Sequence, residues 1–90
     1  MRVRVRLLRP FSEAVGRSEL DVELPDGATV RGLVERLAAQ HPGFREQAYE
    51  RDGGMSDYLT MFLNDAPVTD VERALNDGDE LLIFFPVSGG

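Results

Sequence analysis

The chain contains no cysteine and no lysine. Without cysteine there is no disulfide, no thiol nucleophile, no cysteine–zinc or iron–sulfur ligation, and no persulfide carried on the chain itself. All ten basic residues are arginine. No side-chain amine is therefore available to accept an isopeptide bond, and the α-amino group of Met1 is the one amine left for that chemistry. Histidine occurs once, at His41. Long hydrophobic runs are missing too. The longest, Leu81 to Phe85, falls far short of the roughly 20 residues that cross a bilayer, and no secretory leader pattern is present. Positive charge is in deficit. The formal net charge of −6 disfavours nucleic acid and anionic membrane as partners and complements a protein with a basic face. The expectation is a soluble cytoplasmic protein that binds neither nucleic acid nor membrane.

Ninety residues make one small core with no room for a second. Met1, Val3, Val5 and Leu7 alternate with Arg2, Arg4 and Arg6, the period of a half-buried strand. A turn-like stretch from Pro10 to Ser18 follows. Glu19, Asp21 and Glu23 then alternate with Leu20, Val22 and Leu24 as a second strand. Paired antiparallel, the two place an arginine row against an acidic row on the solvent side, which fixes register. Pro25-Asp26-Gly27 is a turn signal. Thr29 can cap a helix in which Val30, Leu33, Val34, Leu37 and Ala38 share one face. That helix should stop before His41-Pro42, because a proline disfavours helical geometry in the residue before it.

Pro42 to Asp57 carries weaker signals: a helical turn around Phe44 to Tyr49, then a loop at Asp52-Gly53-Gly54. A third strand is predicted from Tyr58 to Leu63, broken by Asn64-Asp65 and Pro67, with a short helical turn over Val71 to Leu75. Asn76-Asp77-Gly78-Asp79 is a tight turn that launches a last strand, Glu80 to Phe85. Its continuous apolar run suggests a central strand covered on both faces, or on one face and by a partner. Short connections then put the first and last strands side by side and parallel in the middle of the sheet. This is the α+β architecture called the β-grasp, a mixed four- to five-stranded sheet with one main helix on one face. Residues 1–85 form the domain, and residues 86–90 leave it as a tail.

Chemistry points to that tail. Gly89 and Gly90 have no side chains, so this segment can enter a narrow channel in another protein, and Pro86 restricts its root. The carboxylate expected on Gly90 is a poor electrophile. It must first be activated, for instance as an acyl-adenylate made from ATP by a partner. Sulfide can then displace the phosphate leaving group and leave a thiocarboxylate. The alternative is an idle tail on an interaction module, since chain ends commonly carry no function.

Asn76-Asp77-Gly78-Asp79-Glu80-Leu81, an apolar strand, then Phe85-Pro86-Val87-Ser88-Gly89-Gly90 resembles the ending of the MoaD/ThiS-like sulfur carriers and of the archaeal small modifier proteins. Phe11 with Glu13 to Gly16, Ala28-Thr29-Val30 and His41-Pro42-Gly43 extend the resemblance over nearly the whole chain. It implies a protein co-substrate rather than an enzyme. Gly90 would be adenylated by a ubiquitin-activating-type adenylyltransferase and converted to a thiocarboxylate by a sulfur donor system. The carrier binds no cofactor itself; ATP is used by the activating partner. The sulfur would go to molybdopterin, with the large subunit of molybdopterin synthase as partner, or to thiamine, a tRNA base or a cysteine precursor. In the modifier branch Gly90 is joined to lysines of target proteins. Phe85-Pro86 stands where many molybdopterin-type carriers have two prolines, and Val87-Ser88 leans toward the molybdopterin or modifier branch.

Phe84 and Phe85 are candidate partner contacts, with one of them expected to point into the core because neighbours on a strand face opposite ways. Met61, Phe62 and Leu63 read as core. Asp77 and Asp79 read as turn residues. His41 has no cysteine or serine partner evident in the sequence for a catalytic role. Gly53-Gly54 lacks the lysine and following helix of a phosphate cradle. No metal site is expected.

Overall fold

In the computed structural model, which describes residues 1–86, β1 (Arg2–Leu7) leads into a short helix α1 (Phe11–Val15) and returns as β2 (Glu19–Glu23). Two further helices follow, α2 (Val30–Gln40) and α3 (Pro42–Ala48), then β3 (Thr60–Leu63), β4 (Ala66–Pro67) and β5 (Glu80–Phe84). The sheet order is β2-β1-β5-β3-β4, with β1 and β5 parallel and the other pairs antiparallel. The first and last strands therefore lie together in the middle, as short connections require, and the fold is a five-stranded β-grasp.

Register follows the charge pattern. Arg2, Arg4 and Arg6 stand opposite Glu23, Asp21 and Glu19. Arg2 pairs with Glu23 at 2.8 Å, and Arg4 reaches both Asp21 and Glu19 at 3.4 Å. The opposite face of the same strands sends Val3, Val5, Leu7 and Val22 into the core. There they meet Val30, Leu33, Val34, Leu37 and Ala38 of α2 and Leu81 and Ile83 of β5. Thr29 caps α2, its hydroxyl accepting from the Gly32 N–H at 3.2 Å. The helix ends at His41, ahead of Pro42.

Four expectations need correction. The Pro10–Ser18 turn contains α1, whose Phe11 is fully buried and whose end is set by Gly16 at φ 83°. Five residues are too few for a 3.6-residue period to show. The single helical turn expected after Pro42 is a seven-residue helix, with proline in its first turn and Phe44 and Ala48 buried. Pro67 does not end the sheet but sits in the edge strand β4 opposite Phe62, a position where its missing N–H removes no ladder bond. The stretch from Val71 to Leu75 is not helical. Its backbone serves α2 instead: Val30 and Arg31 donate their first-turn N–H groups to the Arg73 and Val71 carbonyls at 3.0 and 2.8 Å. Two amides that the helix itself leaves without partners are thereby satisfied.

β5 is central, yet it is not covered on both faces. Leu81 and Ile83 are buried, whereas Leu82 and Phe84 remain half-exposed on the open face of the sheet. Among the described residues no helix is long and apolar enough to cross a membrane.

Candidate functional site

The root of the tail is positioned by the start of β5. In the Asn76–Asp79 turn, the Asp77 carboxylate accepts from the Arg2 N–H at 2.7 Å, and the Gly78 N–H donates to the Arg2 carbonyl at 2.8 Å. The Asp79 carbonyl accepts from the Arg4 N–H at 2.9 Å. The Asp79 carboxylate takes the Asn76 N–H at 2.7 Å and the Asn64 amide at 2.9 Å, while Asn64 accepts from the Glu80 N–H at 2.9 Å. Asn64 and Asp65 form the two-residue β3–β4 loop, both at positive φ, as the turn type favoured in tight hairpins demands. One polar knot thus fixes β5 against β1 on one side and β3 on the other. The aspartates expected as turn residues do that work.

From this fixed start, β5 runs to Phe84 and hands the chain to Phe85 and Pro86. The two phenylalanines diverge as strand geometry predicts. Phe84 lies on the open face, its ring stacked near-parallel on Phe62 at 5.9 Å. Phe85 turns toward the core, 4.8 Å from the Phe11 ring, which in turn lies 5.2 Å from Phe44. The root of the tail is therefore anchored by an aromatic chain running through α1 to α3. Beside it, Ser56, Tyr58, Phe85 and Pro86 line an open, apolar hollow, and Tyr58 is 73% exposed. The remaining proposed tail residues, Val87, Ser88, Gly89 and Gly90, lie outside the described residues.

Phe62 corrects an expectation. Met61 and Leu63 are core, but Phe62 faces the other way and is half-exposed with Phe84 and Leu82. The alternation of β3 already carried that information, because neighbours on a strand cannot share a face. Ser56 and Tyr58 had no such signal. They reach the tail root only because the loop after α3 closes on itself, with Tyr49 bridged to Met55.

Elsewhere the charged rows form two polar hollows, lined by Arg2, Arg4 and Arg17 with Glu19, Asp21 and Asp77. The Arg2 and Arg4 guanidinium groups already face carboxylates. The Arg2 guanidinium is held above its ordinary value, first by its hydrogen bond to Glu23 and then by that carboxylate's charge. Arg31 is raised in the same way by Glu72, at 2.7 Å. Burial pushes the Tyr49 phenol up, with Glu35 adding to the effect. His41 is a shared cap between α2 and α3, its N–H donating to the Leu37 carbonyl at 2.8 Å. Gly53 turns the loop at φ 91°, and the Gly54 N–H donates to the Asp52 carboxylate at 2.9 Å. Among the described residues, no three metal-ligating side chains are placed to hold an ion.

A clamped central strand, an aromatic anchored in the core just past its end and a diglycine four residues further along the sequence together make the candidate site. The chain is 30% identical over 93 residues to small archaeal modifier protein 3 of Haloferax volcanii, covering all of both chains. It is equally 30% identical over 90 residues to the molybdopterin synthase sulfur carrier subunit of Chlamydomonas reinhardtii, again with both chains covered in full. The crystal structure of SAMP1 from Haloferax volcanii superposes with a TM-score of 0.91 at 28% identity over the whole of both chains. The model of the ThiS family matches residues 5–90, the tail included, and the chain belongs to that family.

Proposed function

We propose that this protein is a sulfur carrier whose Gly90 carboxylate is activated and thiolated by partner enzymes, with molybdopterin synthesis as the destination of the sulfur. The observation that carries this reading is a full-length likeness to a sulfur carrier subunit of molybdopterin synthase, in a chain that ends Val87-Ser88-Gly89-Gly90. The partner would be an adenylyltransferase of the ubiquitin-activating type. It attaches AMP from ATP to the carboxylate, with pyrophosphate leaving. Sulfide from a donor system then attacks the acyl carbon, AMP departs, and the acyl–sulfur bond remains. The large subunit of molybdopterin synthase would receive the loaded tail. The chain contributes the acyl group and a docking scaffold, and it binds no cofactor in this reading. The site of action is the cytoplasm.

In this scheme Phe85 and Pro86 set where the tail starts, and Phe84, on the open face, contacts the partner. A second reading has its own support, since another full-length relative is named as a modifier. There the activated Gly90 acylates lysines of other proteins.

Removal of Gly90 tests both. The shortened chain should melt as the intact one does yet accept no sulfur and form no adducts. Intact-mass measurement of protein purified from its own host should show an oxygen-to-sulfur exchange at the C-terminus. Full sulfur transfer by the shortened chain would refute the proposal, and lysine-linked remnants without any thiocarboxylate would favour the modifier.

A further inference from the structure

Apart from the open face, the surface around Pro86 carries an exposed aromatic on a closely hydrogen-bonded turn. The Ser56 N–H donates to the Ala48 carbonyl at the end of α3 at 2.8 Å, and the Ser56 carbonyl accepts from the Leu59 N–H at 3.1 Å. The Ser56 hydroxyl accepts from the Tyr58 N–H at 3.2 Å, while the Thr60 hydroxyl donates to the Tyr58 carbonyl at 3.1 Å. Thr60 then opens β3 opposite Phe84. Tyr58 is thus presented to solvent by an ordered backbone, so little backbone entropy is left to lose when a partner covers it. The hollow it forms with Ser56, Phe85 and Pro86 measures about 300 Å³, and none of its four lining residues is charged. Such a space admits a side chain and stands at the lower limit of small-molecule sites. Phe85 is packed on Phe11 and is not free to collapse into it.

Gly90 follows Pro86 by four residues, a span of roughly 14 Å at full extension. A partner that encloses Gly90 on so short a tether bears on the surface around Pro86. Charge narrows its chemistry. Between Arg51 and Arg73 the chain carries five exposed carboxylates and no basic residue, and one of the five, Asp57, immediately precedes Tyr58. We propose that Tyr58 and its hollow anchor the partner that adenylates Gly90, a placement that rests on the sulfur-carrier reading, and that this partner fills the hollow with an arginine or lysine. The aliphatic stem packs against Phe85 and Pro86, as long basic side chains do on apolar surface. The cation meets the Tyr58 ring and the Asp57 carboxylate. Tyr58 is then a positioning residue: it touches no reacting atom but holds the partner in register with the tail.

The test uses the full chain, the ubiquitin-activating-type adenylyltransferase of its own host, ATP and labelled pyrophosphate. It follows pyrophosphate–ATP exchange, the reversal of carboxylate adenylation. Tyr58→Ser should raise the KM for the carrier about tenfold or more, the loss expected of a hot-spot aromatic, with kcat little changed. Its melting temperature should match the parent's, because the ring lies outside the core. Tyr58→Phe keeps the ring and should retain the parental KM. Asp57→Asn and added salt should each raise the KM severalfold, as opposite charges at an exposed contact are removed or screened. An unchanged KM for Tyr58→Ser beside an active parent chain would overturn the inference alone. A raised KM that ignores both salt and Asp57→Asn would overturn the basic partner. No exchange with the parent chain would overturn the sulfur-carrier reading, and the inference with it.

Discussion

Tyr49 has a buried hydroxyl with no hydrogen-bond partner among the described residues. Its ring lies 5.7 Å from the Arg45 guanidinium. Burial raises the phenol's pKa, Glu35 raises it further, and Arg45 and Arg31 pull it back. The folded state therefore keeps a proton at a pH where the unfolded chain, near pH 10, gives it up. This contribution is fully present below about pH 10 and is lost as pH rises through the folded value. Tyr49→Phe removes both the ionisation and the orphaned hydroxyl while keeping the ring. Its denaturation midpoint should equal or exceed the parent's at neutral pH, since deleting an unpaired polar group leaves nothing unsatisfied. It should also decline less steeply in alkali. A marked loss of stability at neutral pH would show that the hydroxyl holds a partner after all.

The elements differ in how openly the sequence announces them. β1, β2 and α2 each repeat their period at least twice, and their turns carry Pro25-Asp26-Gly27 or a capping Thr29, so pattern and chemistry agree. α1 and α3 have less than that. They exist because Phe11 and Phe44 bury their rings against each other, which is a contact between segments and not a property of either. Gly43 lies at the closest point of this packing. A Cβ there would sit 2.9 Å from the Ala14 carbonyl oxygen and 3.3 Å from the Ala14 Cβ. Glycine to alanine in a helix ordinarily gains up to about 1 kcal/mol, but a backbone oxygen cannot rotate aside. Gly43→Ala should instead destabilise by about 1–3 kcal/mol, the usual cost of overpacking, as read by chemical denaturation. A stabilised variant would show that α1 can slide away from α3.

At the scale of the molecule, the two faces of the sheet have separate tasks. One face is sealed by the helices. The other carries the opposed charge rows on β1–β2, with Phe62, Leu82 and Phe84 half-exposed beside them on β3 and β5. An apolar cluster next to the tail root is where a partner that handles the tail would bear. Phe84→Ser should keep the fold, because the ring lies outside the buried core, with its stacking on Phe62 lost at a cost of about 0.5–1.5 kcal/mol. Sulfur loading by the proposed activating partner should fall well beyond what that loss of stability explains. Unchanged loading kinetics would remove the open face from the partner surface. The divergence of Phe84 and Phe85 was legible in the sequence, because neighbours on a strand face opposite ways. The approach of Ser56 and Tyr58 to Phe85 and Pro86 was not, because it depends on how the loop after α3 returns.

Local order along the chain determined the strand pairing, the charge register and the main helix. Each depends on residues a few positions apart or on a simple alternation, and each repeats its signal. Only the tertiary structure decided that Phe85 is pinned through Phe11 to Phe44 and that the Val71–Leu75 backbone completes α2. These are contacts between residues 33 to more than 70 apart in sequence, and no periodicity encodes which distant groups close on one another.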